Sequence, residues 1–277
     1  MVKQIVATYF SGTGTTKKIV ETVSIGVKEG LENKTGEEIK IRTLDFSLPQ
    51  IRKNPLQFSQ DDLVVMGMPV IAGRLPNLIL KGLKIEGSGA KAVPIVLYGN
   101  RDYQDALSEL KDVLEDNHCE SIAAGAFVGE HSFSKILAKG RPDNQDLQIA
   151  KAFGKKIAEK ALVKNKGFKD WAMVGNPKPY FGYYKPQKED GTPIDIRKVK
   201  PSTNDNCIGC MKCAKGCRMG AIDMEDPKQI VGTCMKCCYC IKSCPTSAKT
   251  FTDLGFIYHK EDLEKKYKER KEPKVFI

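Results

Sequence analysis

Two cysteine runs, one directly after the other, constrain this chain more than any other feature. Cys207, Cys210, Cys213 and Cys217 are spaced C-x2-C-x2-C-x3-C, and Cys234, Cys237, Cys240 and Cys244 repeat that pattern, closed by Pro245. A tight loop presenting three thiolates in steps of three wraps one face of an iron–sulfur cubane, while the fourth cysteine reaches the other cluster. The expected ligand sets are therefore crossed. Cys207, Cys210, Cys213 and Cys244 belong to one cluster, and Cys234, Cys237, Cys240 and Cys217 to the other. Cys238 lies between two ligands and outside the pattern, since using it in place of Cys237 breaks the spacing.

Two plainer uses of these cysteines compete. Structural zinc usually separates two C-x2-C knuckles by a longer loop, so three cysteines in steps of three favour iron. A disulfide framework belongs to an oxidising compartment. Here Met1 runs directly into a strand-like segment with no secretory leader, so a soluble cytoplasmic protein with metal-binding cysteines is expected. Nine of the ten cysteines fall after residue 200, so composition itself divides the 277-residue chain into a main body and a small appendage. No apolar run approaches the ~20 residues needed to cross a bilayer.

The formal net charge of +11 points to an acidic redox partner or an anionic substrate, and part of it offsets the negative charge that iron–sulfur cores carry. Nucleic acid is set aside as a partner. The lysines between Lys260 and Lys274 interleave with Glu261, Asp262, Glu264, Glu269 and Glu272, as on a solvated helix face.

The N-terminal part alternates strands and helices. Residues 4–10 form an apolar run of the kind that makes a buried parallel strand, and it ends in Ser11-Gly12-Thr13-Gly14-Thr15-Thr16. Ile19, Val20, Val23 and Val27 then recur at helical spacing, to about Asn33. A strand, a glycine and hydroxyl loop and a helix together cradle a phosphate, because outward backbone N–H groups and the helix N-terminus favour an anion. A Walker A loop would need Gly-Lys-Ser or Gly-Lys-Thr, and the dinucleotide fingerprint would need a third glycine where Lys17 stands. Further strands are expected at 38–43, 63–67, 92–97 and 121–128, with helices ending near Asn117 and spanning 144–164. The result is a five-stranded α/β sandwich. In such a sheet the loops after the first, third and fourth strands meet at the carboxyl edge. They carry Ser11 to Thr16, Pro69-Val70-Ile71-Ala72-Gly73, and Tyr98-Gly99-Asn100-Arg101 with Tyr103.

The cysteine stretch resembles the bacterial two-cluster ferredoxins over roughly residues 203–250, with Arg218 where the usual proline would follow Cys217. The hydroxyl loop resembles the FMN phosphate loop of flavodoxins, with Thr15 in place of the usual asparagine. Taken together, these motifs are similar to the flavodoxin/ferredoxin fusion proteins of anaerobic bacteria and archaea. The resemblance implies a doubly wound flavodoxin-like domain over 1–165, a connecting segment over 166–203, a small α+β two-[4Fe-4S] domain over 204–250, and a charged, helical tail over 251–277. It further implies FMN, with its phosphate on residues 11–16 and its ring between the loops at 69–74 and 98–103. Tyr103 is the aromatic expected nearest the ring and Tyr98 the second choice; each is otherwise a packed strand-end aromatic.

Beyond the fifth strand, His131 is the candidate proton donor, although a loop histidine without a visible partner is otherwise simply solvated. Cys119 reads as a small core residue. The stretch from Gly175 to Pro186 is too aromatic for a flexible spacer and is expected to pack along the seam between the modules, with Trp171 anchoring its start. Leu263 and Tyr267 stand one turn apart on the buried side of the tail helix.

The functional expectation is an electron-transfer flavoprotein that links a low-potential donor, two clusters and FMN, with a ferredoxin, flavodoxin or oxidoreductase as redox partner. The alternatives are an FMN-dependent reductase of a small molecule and a redox or iron sensor. A homodimer would be needed if flavin and clusters lay too far apart within one chain.

Overall fold

The computed structural model describes residues 2–163 and 174–277, so the expected anchor Trp171 lies outside the described residues. Five strands, β1 (Gln4–Tyr9), β2 (Lys40–Asp45), β3 (Asp62–Pro69), β4 (Lys91–Tyr98) and β5 (Ala124–Val128), run parallel in the order β2-β1-β3-β4-β5. That strand order defines the flavodoxin-like doubly wound fold and places its switch point between β1 and β3. Glu120–Ser121 pairs with the start of β4 as β5 pairs with its end, so the strand expected at 121–128 is one strand with a break.

The central strands read as continuous apolar runs because both faces are covered. Along β1 and β3 the side chains alternate between two cores. Val6, Val64 and Met66 face one side with helix α2 (Ala106–Asp116), while Ile5, Ala7, Leu63 and Val65 face helices α1 (Thr15–Thr35) and α3 (Asn144–Ala161). Helices α1 and α3 approach closely because Gly26, Gly30 and Gly154 present no side chain where the facing backbone passes. Helix α3 opens with a capping box between Asp143 and Asp146.

The second half of the chain departs from the expected tail. The helix, α6 (Leu254–Lys266), ends well before the last residues, which form a sixth strand, β6 (Lys274–Phe276), antiparallel to β5 at the edge of the sheet. Pro273 cannot sit inside a helix, and Val275 and Phe276 suit a half-buried strand. Charge alternation over 260–274 concealed this switch. Of the two residues expected on the helix's buried side, Leu263 is buried, while Tyr267 is the half-buried C-cap.

Between these parts lies the cysteine-rich stretch, framed by Ser202–Thr203 paired antiparallel with Lys249–Thr250 and holding two single turns of helix, α4 (Lys212–Lys215) and α5 (Tyr239–Lys242). The sequence repeat is also a backbone repeat. Gly209 and Lys236, Met211 and Cys238, and Gly220 and Ser247 occupy matched positions of the two runs, and all six have left-handed φ. The amides of Ala221 and Ala248 donate to the sulfurs of Cys217 and Cys244 at 3.2 and 3.3 Å, again in matched places. A non-glycine residue in the left-handed region costs roughly 1–2 kcal/mol. Its recurrence at matched places in both copies makes the sequence repeat a conformational one.

Candidate functional site at the carboxyl edge of the sheet

The loop after β1 is built around Ser11, whose hydroxyl accepts from the amides of Gly14 at 3.0 Å and Lys17 at 3.3 Å. Its own amide donates to Ser47 Oγ at 2.8 Å, which ties the loop to the end of β2. Gly14 takes φ +99°, the left-handed turn that starts α1. With Ser11 used internally, the amides of Gly12, Thr13, Thr15 and Thr16 donate to no acceptor among the described residues. Thr13 and Thr15 stay half exposed, whereas Thr16 is buried with its methyl against Gly67. The loop is therefore a neutral cradle of free donors at a helix N-terminus, suited to an anion.

One cavity is lined by Cys217, Cys234, Cys237, Cys238 and Cys240, and a second by Cys207, Cys210, Cys213 and Cys244. Among the described residues no three His, Cys, Asp or Glu side chains converge as a group for a metal ion. A cluster of four irons holds its cysteines apart at separate corners, which fits ligands ringing a cavity better than ligands meeting at a point. Burial pushes the Cys237 thiol up to about 11; burial, followed by the neighbouring Cys237 and Cys234, pushes Cys240 up to about 12. Such thiols are inert by themselves and become thiolates only beside cationic charge. Cys238 is 3% exposed and packs with Phe251 and Phe256, so it serves as a core residue of this stretch.

The two cavities differ in setting. The second opens outward, with Cys210 exposed and Ile208 67% exposed. The first faces the sheet. Met235 and Cys237 join the apolar core that contains Phe10, Val70 and Ile71, and a methyl group added to Gly12 would stand only 3.3 Å from Cys237 Cβ. Arg218 reaches across from the residue after Cys217, donating from Nε to the Gly12 carbonyl at 3.2 Å while its guanidinium covers the Tyr239 ring at 4.4 Å. Lys242 pairs with Glu130 and donates to the His131 carbonyl at 3.0 Å. Phe133 meets Phe256 with ring centroids 4.6 Å apart.

The other two loops are brought together at the same edge. Ile71 and Arg74 exchange backbone hydrogen bonds around Ala72 and Gly73, both left-handed, making a tight turn whose tip touches Gln104 and Arg101. Pro69 ends β3, and the Val70 amide donates to the Leu97 carbonyl. Tyr98 and Tyr103 do not line this edge freely. They are 5% and 9% exposed, with ring centroids 5.5 Å apart, and both belong to the core against α2. Gly99 leaves room for the His131 imidazole, which a side chain there would strike. Asn100, also left-handed, turns away from the edge. Its amide group donates to the Tyr267 and Glu269 carbonyls at 2.6 and 2.8 Å and accepts from the Lys271 amide, holding the tail.

The His131 Nδ1 accepts from the Phe133 amide at 3.1 Å, which leaves Nε2 as the protonated nitrogen. Burial, then His259, Lys242 and Arg101, push its pKa down to about 4. At neutral pH His131 is thus an uncharged donor, a narrower role than a proton reservoir. The aromatic connecting segment, expected along the seam between the modules, makes contacts with the second loop and α2 of the sheet domain. Tyr184 donates its amide to the Ala72 carbonyl at 2.9 Å and lies under Arg101 at 4.4 Å, and Tyr183 donates its hydroxyl to the Leu75 carbonyl. Arg74 forms a two-point pair with Glu109 between Tyr180 and Tyr183.

Arg52 and Lys242 left no signal in the sequence. Arg218 left one, as the residue standing where the second run has Pro245, and Tyr184 another, within the aromatic stretch from Gly175 to Pro186.

The fold and the edge site define a flavodoxin-like sheet with a cysteine-rich stretch seated on its ligand edge. No protein-family model matches the chain, and no curated protein matches it. Among solved structures, an oxidoreductase from Corynebacterium diphtheriae is 16% identical with a TM-score of 0.40, over 60% of this chain and 99% of its own. A flavodoxin from the domain Archaea is 14% identical with a TM-score of 0.37, over 57% and 97%. A Fusobacterium nucleatum flavodoxin mutant bound to flavin mononucleotide is 12% identical with a TM-score of 0.36, over 58% and 98%.

Proposed function

We propose that this chain is an iron–sulfur flavoprotein that carries electrons between an external redox protein, two [4Fe-4S] clusters and FMN. The observation that carries the reading is the apposition of Cys237 and Gly12, which sets a cluster-binding loop directly on the anion-binding loop. In this reading residues 1–165 hold the flavin and residues 204–250 the clusters. The free amides of Gly12, Thr13, Thr15 and Thr16 would hold the FMN phosphate, and the loops at 69–73 and 98–101 would flank the ring. When bound, the clusters supply single electrons and the flavin exchanges one or two.

The chain's own residues give the path a direction in space. The Cys207, Cys210, Cys213 and Cys244 set stands at the surface, where a ferredoxin, flavodoxin or oxidoreductase can reach it. The Cys217, Cys234, Cys237 and Cys240 set stands at the seam, where Met235, Phe251 and Met219 exclude water. With both sites in one chain at one seam, no second copy is needed to bring them together. Lys242 on Glu130 and Arg218 on Gly12 hold the seam in register.

The test is an anaerobic reductive titration followed by visible absorption, with iron and flavin counted on the same sample. About eight irons and one FMN per chain, with electrons equilibrating between them, is the expected result. Clusters that reduce fully while bound flavin stays oxidised would refute the relay. Steady reduction of a small molecule with no protein acceptor would replace it with a reductase.

A further inference from the structure

The hydroxyl loop brings only neutral groups to an anion, yet two guanidinium groups stand beside it with no carboxylate partner among the described residues. Arg52 lies behind the loop. Its Nη1 donates to the Phe46 and Ser47 carbonyls at 3.0 and 2.8 Å, and its Nη2 to the Arg218 carbonyl at 2.7 Å. Arg218 then crosses from the cysteine-rich stretch to the Gly12 carbonyl. Ser47 links the two arrangements, since its hydroxyl also receives the Ser11 amide. Two like charges held close in a half-buried place repel each other, and no carboxylate among the described residues pairs with either. An anion on the loop would relieve that repulsion.

From this arrangement we infer that Arg218 is the residue by which the site selects a phosphate-bearing flavin over the phosphate-free riboflavin. The inference rests on the flavoprotein reading above and adds to it a role for the cysteine-rich stretch. That stretch does not merely bring its clusters near the flavin; it also supplies part of the charge that binds the flavin. The sequence is consistent with this division. Arg218 follows Cys217, the cysteine of the first run that lines the sheet-facing cavity, whereas Pro245 follows Cys244, which lines the outer one, and donates nothing and bears no charge. Stacking on Tyr239 fixes the guanidinium plane, so its remaining N–H groups are preorganised.

The experiment uses the cluster-loaded protein with its flavin removed, titrated separately with FMN and riboflavin and followed by flavin fluorescence. Arg218→Gln is expected to weaken FMN binding on the order of tenfold, with riboflavin affinity unchanged and iron content equal to wild type. Arg218→Lys, which keeps the charge but not the fork, is expected to fall between the two. Arg52→Gln, distant in sequence from any cysteine, is expected to weaken FMN selectively as well. Equal weakening of both flavins, or an unchanged FMN affinity in Arg218→Gln, overturns the assignment of Arg218 alone. A wild-type protein that takes up neither flavin overturns the flavoprotein reading itself.

Discussion

Gly12 and Gly14 stand two residues apart in one loop and are glycine for different reasons, which makes them a controlled pair. Gly12 has an ordinary backbone, but an added methyl would stand 3.3 Å from Cys237 Cβ and 3.4 Å from its carbonyl oxygen. Gly14 has nothing within 4 Å of an added methyl but holds φ +99°. Gly12→Val adds two further carbons at the seam, where neither the Cys237 backbone nor its side chain can withdraw without opening the cysteine loop. Overpacking of this kind costs roughly 1–3 kcal/mol. Gly14→Ala costs ~1–2 kcal/mol through the left-handed backbone alone.

The two variants are thus comparable in stability, as read by thermal melting, but differ in where the strain falls. Iron content and anaerobic flavin reduction separate them. Gly12→Val is expected to lose iron from the seam-facing site and to slow electron exchange with the flavin, whereas Gly14→Ala keeps its iron. Gly12→Val with full iron and unchanged exchange would show that the cysteine loop does not rest on Gly12 in solution, and the carrying observation would fall.

Two further outcomes are expected. His131 and His259 both sit near 4, each lowered first by burial; Arg101 lowers both further, and Asp262 partly opposes the shift at His259. An unfolded histidine titrates near 6.5, so between about 6.5 and 4 the unfolded chain binds protons that the folded chain does not. Stability therefore falls as pH drops through that window. Urea midpoints at pH 7 and pH 5 should differ less in His259→Gln than in wild type, and an equal difference would count against the burial of these rings. Asn100→Gly keeps the left-handed backbone but removes the three bonds that hold the tail, at a cost of roughly 1–3 kcal/mol. Faster amide hydrogen exchange over residues 267–276 should follow, and unchanged exchange would refute the clamp.

Much of this architecture was legible because the relevant signals are local. The β1 run, the helical spacing of Ile19, Val20, Val23 and Val27, and the turn residues after β3 each name one element. The cysteine repeat was legible because its spacing is regular, and it returns as a repeat of the backbone, with left-handed residues at matched places. What stayed hidden depends on contacts between distant segments. Nothing near Asn100 announces that it grips residues 267–271, and nothing near Arg218 names Gly12 as its acceptor. Tyr98 and Tyr103 show the reverse case. Aromatics beside a ligand edge suit both stacking and packing, and α2 supplied the apolar surface that decided for packing.

The pairing of β6 with β5 has a consequence for how the molecule comes together. The last strand of the sheet lies beyond the cysteine-rich stretch in the chain, so that stretch is a closed excursion between two neighbouring strands. Closing an excursion costs chain entropy that grows with the logarithm of its flexible length. If clusters order the cysteine loops, as proposed above, the flexible length shrinks and the edge closes more readily than it would across a long flexible span. In the proposed reading, assembly of the clusters and completion of the sheet edge would then be coupled, and loss of iron would loosen Lys274–Phe276, whose strand pairing is to β5 alone among the strands described.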